Sequence, residues 1–143
     1  MEPKTVVVEK TYPVPVNKVW QALTDKEKIK QWSFDMDDFK PEVGFEFHFY
    51  GHNDGRTFYH ICTVTEAVEN KKLAYTWTYQ DTPGSSLVSI ELFDEGDKTR
   101  LTLTHTGLET FPQDTNDYSI NNFTMGWTEL ITVLLDKFLH NNN

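Results

Sequence analysis

INNFTMGWTELITVLLDKF, residues 120–138, places Ile120, Phe123, Trp127, Leu130, Ile131, Leu134, Leu135 and Phe138 at helical spacing over about five turns. The spacing predicts one long helix with a continuous apolar stripe, so this helix must be covered by something of matching length. Gly126 interrupts the pattern at a cost of about 1 kcal/mol relative to alanine, which predicts a neighbour pressed close to the backbone there, sheet or ligand.

Working back from that helix, the pattern changes to a period of two. Leu101 and Leu103 alternate with threonines; before them come Val88, Ile90 and Leu92, and before those Leu73, Tyr75, Trp77 and Tyr79. Turns are expected at residues 82–84 and 95–97. Phe45, Phe47 and Phe49 alternate with Glu46, His48 and Tyr50, and the Asp54-Gly55 pair reads as a two-residue hairpin turn into a strand over 57–68. Residues 33–44 are acidic and rich in turn formers, which predicts an irregular solvated connection. Upstream, Val16, Val19, Trp20 and Leu23 share one face of a short helix. Thr24 to Glu27 then reads as a capping box, with Thr24 as the cap of a second helix carrying Ile29 and Trp32. Valine-rich residues 5–11 form the first strand, ended by Pro13 and Pro15. The order is strand, two short helices, five strands, long helix, an α+β arrangement in which only the last helix can cover the sheet.

Composition narrows the function. The chain has 143 residues, the length expected of one domain over 1–143, and 20 of them are aromatic against three alanines. Large flat side chains fill volume in few residues and leave gaps, so a hollow core is one expectation and a tightly filled one the other. With 22 acidic and 13 basic residues the net charge is -9, which disfavours nucleic acid and anionic membrane surfaces. No apolar run is long enough for membrane insertion and no signal core precedes the domain, so a cytoplasmic protein is expected. The lone Cys62 lies in a strand-like run and reads as a buried structural thiol.

No nucleophile elbow, phosphate loop, zinc spacing or Cys-x-x-Cys pair occurs, so no catalytic residue, metal or cofactor is assigned. Glu66, Glu91 and Glu109 read as surface charges. A two-residue turn at 54–55 sets residue 49 opposite residue 60, which sends the His48 and His60 rings to opposite faces and rules out a shared metal. His105 falls on the Leu101 and Leu103 face. It is either the polar group that orients a ligand or a buried histidine satisfied within the protein. The rows Phe45, Phe47, Phe49 and Tyr75, Trp77, Tyr79 either line a pocket or pack as core.

Several blocks together carry a resemblance: residues 19–25 (VWQALTD), Trp32, Gly44, residues 73–77, residues 99–105 (TRLTLTH), and Gly126-Trp127 with Leu130 and Leu134. The chain resembles the homologues of the C-terminal domain of the activator of the ninety-kilodalton heat-shock protein (heat-shock protein 90) ATPase, within the START and Bet v 1-like helix-grip superfamily. The resemblance implies a curved antiparallel sheet of up to seven strands gripping the long helix around a cavity. Six strands are legible here, with residues 36–40 the candidate for a seventh. It also implies a function: a non-enzymatic binding domain holding a small hydrophobic or amphipathic molecule between sheet and helix. The walls would come from Phe47, Phe49, Tyr75, Trp77, Leu101, Leu103, Phe123, Trp127 and Leu130, with His105 as the polar contact. Two alternatives follow from the same resemblance. One is a module that binds a heat-shock chaperone, against which stands the lack of the separate N-terminal domain of the eukaryotic activators. The other is a small polyketide cyclase or lyase using His105 or Tyr75 as acid or base.

Overall fold

In the computed structural model, which describes residues 3–53 and 55–141, six strands form one antiparallel sheet in the order β1-β6-β5-β4-β3-β2. They are β1 (Val6–Tyr12), β2 (Glu46–Asn53), β3 (Arg56–Val68), β4 (Lys72–Tyr79), β5 (Thr82–Asp94) and β6 (Thr99–Thr106). The alternation is realised residue by residue: on β6, Thr99, Leu101, Leu103 and His105 are buried while the residues between them are partly exposed. Leu101 and Leu103 are fully buried, each contributing roughly 1.5–3 kcal/mol through burial. Register slips between Val64 and Glu66 and between Trp77 and Tyr79 mark bulges, which strengthen local twist and bend the sheet.

Helix α1 (Val16–Thr24) and α2 (Lys26–Trp32) follow β1. The second cap lies one residue later than the capping box predicts. Asp25, not Thr24, accepts the backbone N–H groups of Glu27 and Lys28, while the Thr24 hydroxyl donates back to the Trp20 carbonyl at 2.7 Å. A threonine that closes onto its own helix is no longer free to open the next one. The Trp32 indole donates to the Ala22 carbonyl at 2.9 Å and ties the two helices together.

The connection over residues 33–44 is irregular as expected, but it is not solvated throughout. Met36 and Phe39 are buried, and Phe34 stacks on Phe49 at 4.2 Å. Residues 36–40 do not form a seventh strand. Asp37 donates its N–H to the His48 carbonyl, and its carboxylate accepts the His48 N–H at 3.0 Å. The side chain has taken the place of the backbone acceptor a ladder would need. The β4–β5 turn is also displaced from the expected 82–84: residues 80 and 81 make it, with Tyr79 paired to Thr82. Pro83 and Gly84 lie inside β5 beside the second bulge, where a missing N–H is tolerated. Gly84 has φ +110, and a Cβ there would stand 2.5 Å from the Thr110 carbonyl oxygen. The β2–β3 hairpin pairs Asn53 with Arg56; Asp54 of the expected turn lies outside the described residues.

The C-terminal helix begins at a Ser119 cap and runs as α3 (Ile120–Glu129) through a π-helical turn (Leu130–Leu134) into α4 (Leu135–Asn141). The joining residues Leu130 and Leu135 keep right-handed helical angles, so the rod is continuous. Phe123, Trp127, Ile131, Leu135 and Leu139 form its buried stripe, whereas Ile120 is 38% exposed. A π turn widens the helix and leaves a carbonyl without its usual partner. The wholly buried Tyr12 of β1 supplies one, donating its hydroxyl to the Ile131 carbonyl at 2.5 Å. Among the described residues no helix is long and apolar enough to cross a membrane.

Candidate functional site

The sheet and helix do not close completely. A cavity of about 450 Å³ opens between β2, β3 and β4 on one side and the first half of the C-terminal helix on the other. Its inner wall is aromatic: Phe34, Phe58, His60, Trp77, Tyr79, Tyr118, Phe123 and Trp127. Leu130 and Leu134 of the π turn complete it, and Asp117, Asn122, Met125, Gly126 and Glu129 come from the segment that starts the helix. Trp77 is the centre of the wall, with ring centroids 5.4 Å from Trp127, 5.6 Å from Phe49 and 4.7 Å from His60. At the rim Arg56, 63% exposed, forms an ion pair with Asp117, joining the β2–β3 hairpin to the short 3-10 turn Asn116–Tyr118. A much smaller void of about 30 Å³ lies deeper, walled by Phe47, Tyr75, Leu73 and Ile90 and sharing Phe34, Trp127 and Leu130 with the cavity.

Of the expected wall residues, Trp77, Phe123, Trp127 and Leu130 line the cavity, and Phe47 and Tyr75 face the smaller void. Phe49, Leu101, Leu103 and His105 line neither space. Phe49 is covered by two stacked rings, Phe34 at 4.2 Å and His60 at 4.4 Å. His105 is held wholly within the protein. The Trp127 indole donates to its Nδ1 at 2.9 Å, and its Nε2 lies 2.8 Å from the Ser86 hydroxyl oxygen. An indole N–H only donates, so Nδ1 is the acceptor, Nε2 carries the proton and gives it to Ser86, and Ser86 donates on to the Trp77 carbonyl at 2.8 Å. The chain of bonds fixes the two tryptophans of the cavity wall to β5 and β6. Burial, with no compensating charge, holds His105 far below its usual range, at about 3, so the ring is neutral.

The two hairpin histidines do face opposite ways. Phe49 pairs with His60 and His48 with Ile61. His48 lies on the outer face, its ring nitrogens 2.7 Å from Asp37 and 2.8 Å from Glu46, and these hydrogen bonds raise its pKa. His60 is inside, with burial pushing its pKa down to about 4. Cys62 is buried, and burial raises its thiol pKa. Of the two neighbours expected at Gly126, the sheet is not there: a Cβ would meet nothing within 4 Å, and the residue lines the open cavity instead. Alternation alone placed β4 correctly. Among the cavity residues it missed, Phe34 and Tyr118 come from segments outside the strands, and Phe58 and His60 from a strand whose lining role depends on the partner across the gap.

The profile of the family described as Activator of Hsp90 ATPase homolog 1-like protein matches residues 13–139. Among solved structures, the chain is similar to protein MLL2253 from Mesorhizobium loti, at 30% identity over 98% of this chain and 99% of that one, with TM-score 0.80. It is also similar to CalU16 from Micromonospora echinospora, at 25% identity over 96% of this chain and 77% of that one, with TM-score 0.72. DynU16, from the dynemicin biosynthetic locus, is 20% identical over 98% of this chain and 48% of its own, with TM-score 0.78. This chain therefore spans about half of DynU16, and the likeness at that identity is one of fold. No curated protein matches the chain.

Proposed function

The chain belongs to the Activator of Hsp90 ATPase homolog 1-like family, within the START and Bet v 1-like helix-grip superfamily, and from that premise we propose that it is a non-enzymatic binding domain for a small hydrophobic or amphipathic molecule. The observation that carries the reading is the cavity itself: about 450 Å³, broadly open to solvent, with a mainly aromatic and aliphatic wall and Asp117, Asn122 and Glu129 among its polar groups. That is the size and lining of sites that take up small apolar molecules. A tightly packed core would leave no such space.

Binding rather than catalysis is supported by the state of the expected acid–base groups. Both ring nitrogens of His105 are engaged within the protein, and Tyr75 is buried with its hydroxyl pKa raised by burial. A group that must break two hydrogen bonds to reach a substrate is poorly placed for proton transfer. The chaperone-interaction reading rests on the family's description alone; a pull-down with ATPase assay against a heat-shock chaperone tests it.

Native mass spectrometry of freshly purified protein, followed by melting curves with lipids, sterols and planar aromatics, tests the binding reading. A ligand at about a hundred times its dissociation constant adds roughly 2.7 kcal/mol to the folded state. The expected result is a retained small molecule, or a raised melting temperature with NMR shifts at the Trp77 and Trp127 indoles. If the whole panel moves neither, the reading is wrong.

A further inference from the structure

The cavity wall contains a ring nitrogen to which no described residue donates. His60 is only 5% exposed, and its Nδ1 lies 3.1 Å from the Phe58 carbonyl oxygen. The Phe49 and Phe58 backbones both favour a proton on the ring, and a carbonyl only accepts, so with the Phe58 oxygen at Nδ1 the proton sits there and Nε2 is the acceptor. No described residue donates to Nε2. Among the described residues, however, no side-chain nitrogen or oxygen that is sealed from solvent lacks a hydrogen-bond partner. Nε2 is therefore not sealed; it opens on the cavity that His60 lines.

The surroundings hold the ring there. Phe49 stacks face to face with it at 4.4 Å, and Trp77 and Tyr79 stand against it at 4.7 and 4.8 Å. Across the hairpin, Gly51 makes the placement possible: a Cβ at that position would come within 2.6 Å of the His60 Cε1. A ligand that fills the cavity takes this acceptor out of contact with solvent, which is costly unless the ligand donates to it, so the atom selects among ligands of equal shape. An anionic ligand offers only acceptors to that atom and must also pass Asp117 and Glu129 at the rim, of which Asp117 is paired with Arg56.

We propose that His60 Nε2 is the polar anchor of the cavity, accepting a hydrogen bond from an O–H or N–H of a neutral, flat apolar ligand, and that the site discriminates against carboxylates. The proposal rests on the binding reading given above, and its test separates the two. Calorimetric titration at neutral pH compares three probes of one shape: 2-naphthol, its methyl ether and 2-naphthoate. One neutral hydrogen bond predicts that the naphthol binds roughly five- to tenfold more tightly than the ether, with the naphthoate weakest. His60→Phe should bring naphthol and ether to equal affinity, whatever its effect on the two together. Gly51→Ala, which retains His60 but crowds its ring, should reduce the same preference. Should either variant fail to fold, nitrogen NMR of the wild-type protein decides: the naphthol, and not the ether, shifts the His60 Nε2 resonance. Equal affinity for naphthol and ether, naphthoate binding as tight as naphthol, a preference surviving in folded His60→Phe, or an unmoved Nε2 resonance on naphthol binding overturns the anchor and leaves the binding reading intact. No binding of any probe, with unmoved Trp77 and Trp127 indole signals, removes the anchor together with the apolar-ligand reading.

Discussion

Acidification from about pH 7 to about pH 5 should weaken this protein through its buried histidines, and His105 gives the clearest measure. Burial lowers its pKa from 6.5 to about 3. Below 6.5 the unfolded chain takes up a proton that the native ring refuses, because protonation at Nδ1 would set two donors, imidazolium and the Trp127 indole, against each other in a buried site. The unfolded state then binds more protons, so stability is full above 6.5 and falls as the pH drops toward 3. The slope is about 1.4 kcal/mol per pH unit inside that window, or roughly 2 kcal/mol between pH 7 and 5 from His105 alone. His60, lowered to about 4, adds a loss of the same sign. His48 acts oppositely, because hydrogen bonds to Asp37 and then Glu46 raise its pKa, so its contribution is full at low pH and fades as pH rises through the raised value. Comparison with His105→Phe removes these shared contributions. Urea unfolding followed by far-UV circular dichroism at about pH 7, 6 and 5 should show the wild type losing about 2 kcal/mol more than the variant across the window. Parallel stability curves, or a native His105 ring resonance titrating near 6.5, would refute the buried, doubly bonded imidazole.

Two substitutions test local readings. Gly126→Ala should stabilise the protein by about 0.5–1 kcal/mol, since the helix gains a better former and the added methyl meets nothing within 4 Å; a lower urea midpoint would place something against that backbone after all. Asp25→Ala should cost about 1 kcal/mol by removing the cap of α2. Thr24→Ala should cost less, and the reverse order would return the cap to Thr24.

Much of the fold was legible because its signals are local. Phe47, Phe49, Trp77, Leu101 and Leu103 are buried where a period of two puts them, and the opposite facing of His48 and His60 followed from the hairpin turn alone. The helix stripe of Phe123, Trp127, Ile131 and Leu135 is equally plain, although the π turn and its Tyr12 partner leave no mark in the apolar spacing. The errors occurred where side chains compete with backbone or where contacts come from far along the chain. Asp37 closes on β2 through its carboxylate instead of extending the sheet. Thr24 folds back on α1. His105, open on the sequence between a ligand contact and a buried histidine satisfied within the protein, has both ring nitrogens engaged, by Ser86 and Trp127 from two other elements.

By itself the sequence determined the order of elements and the inward face of each, because a residue's place on a strand or helix depends only on its neighbours within a turn or a pleat. Whether those inward faces meet was decided by tertiary structure alone. The 20 aromatic residues are compatible with a solid core or a hollow one. The gap at His60, Trp77 and Trp127 lies between two bulged strands and the helix packed across them. Its width is a distance between segments far apart in the chain, which no local period encodes.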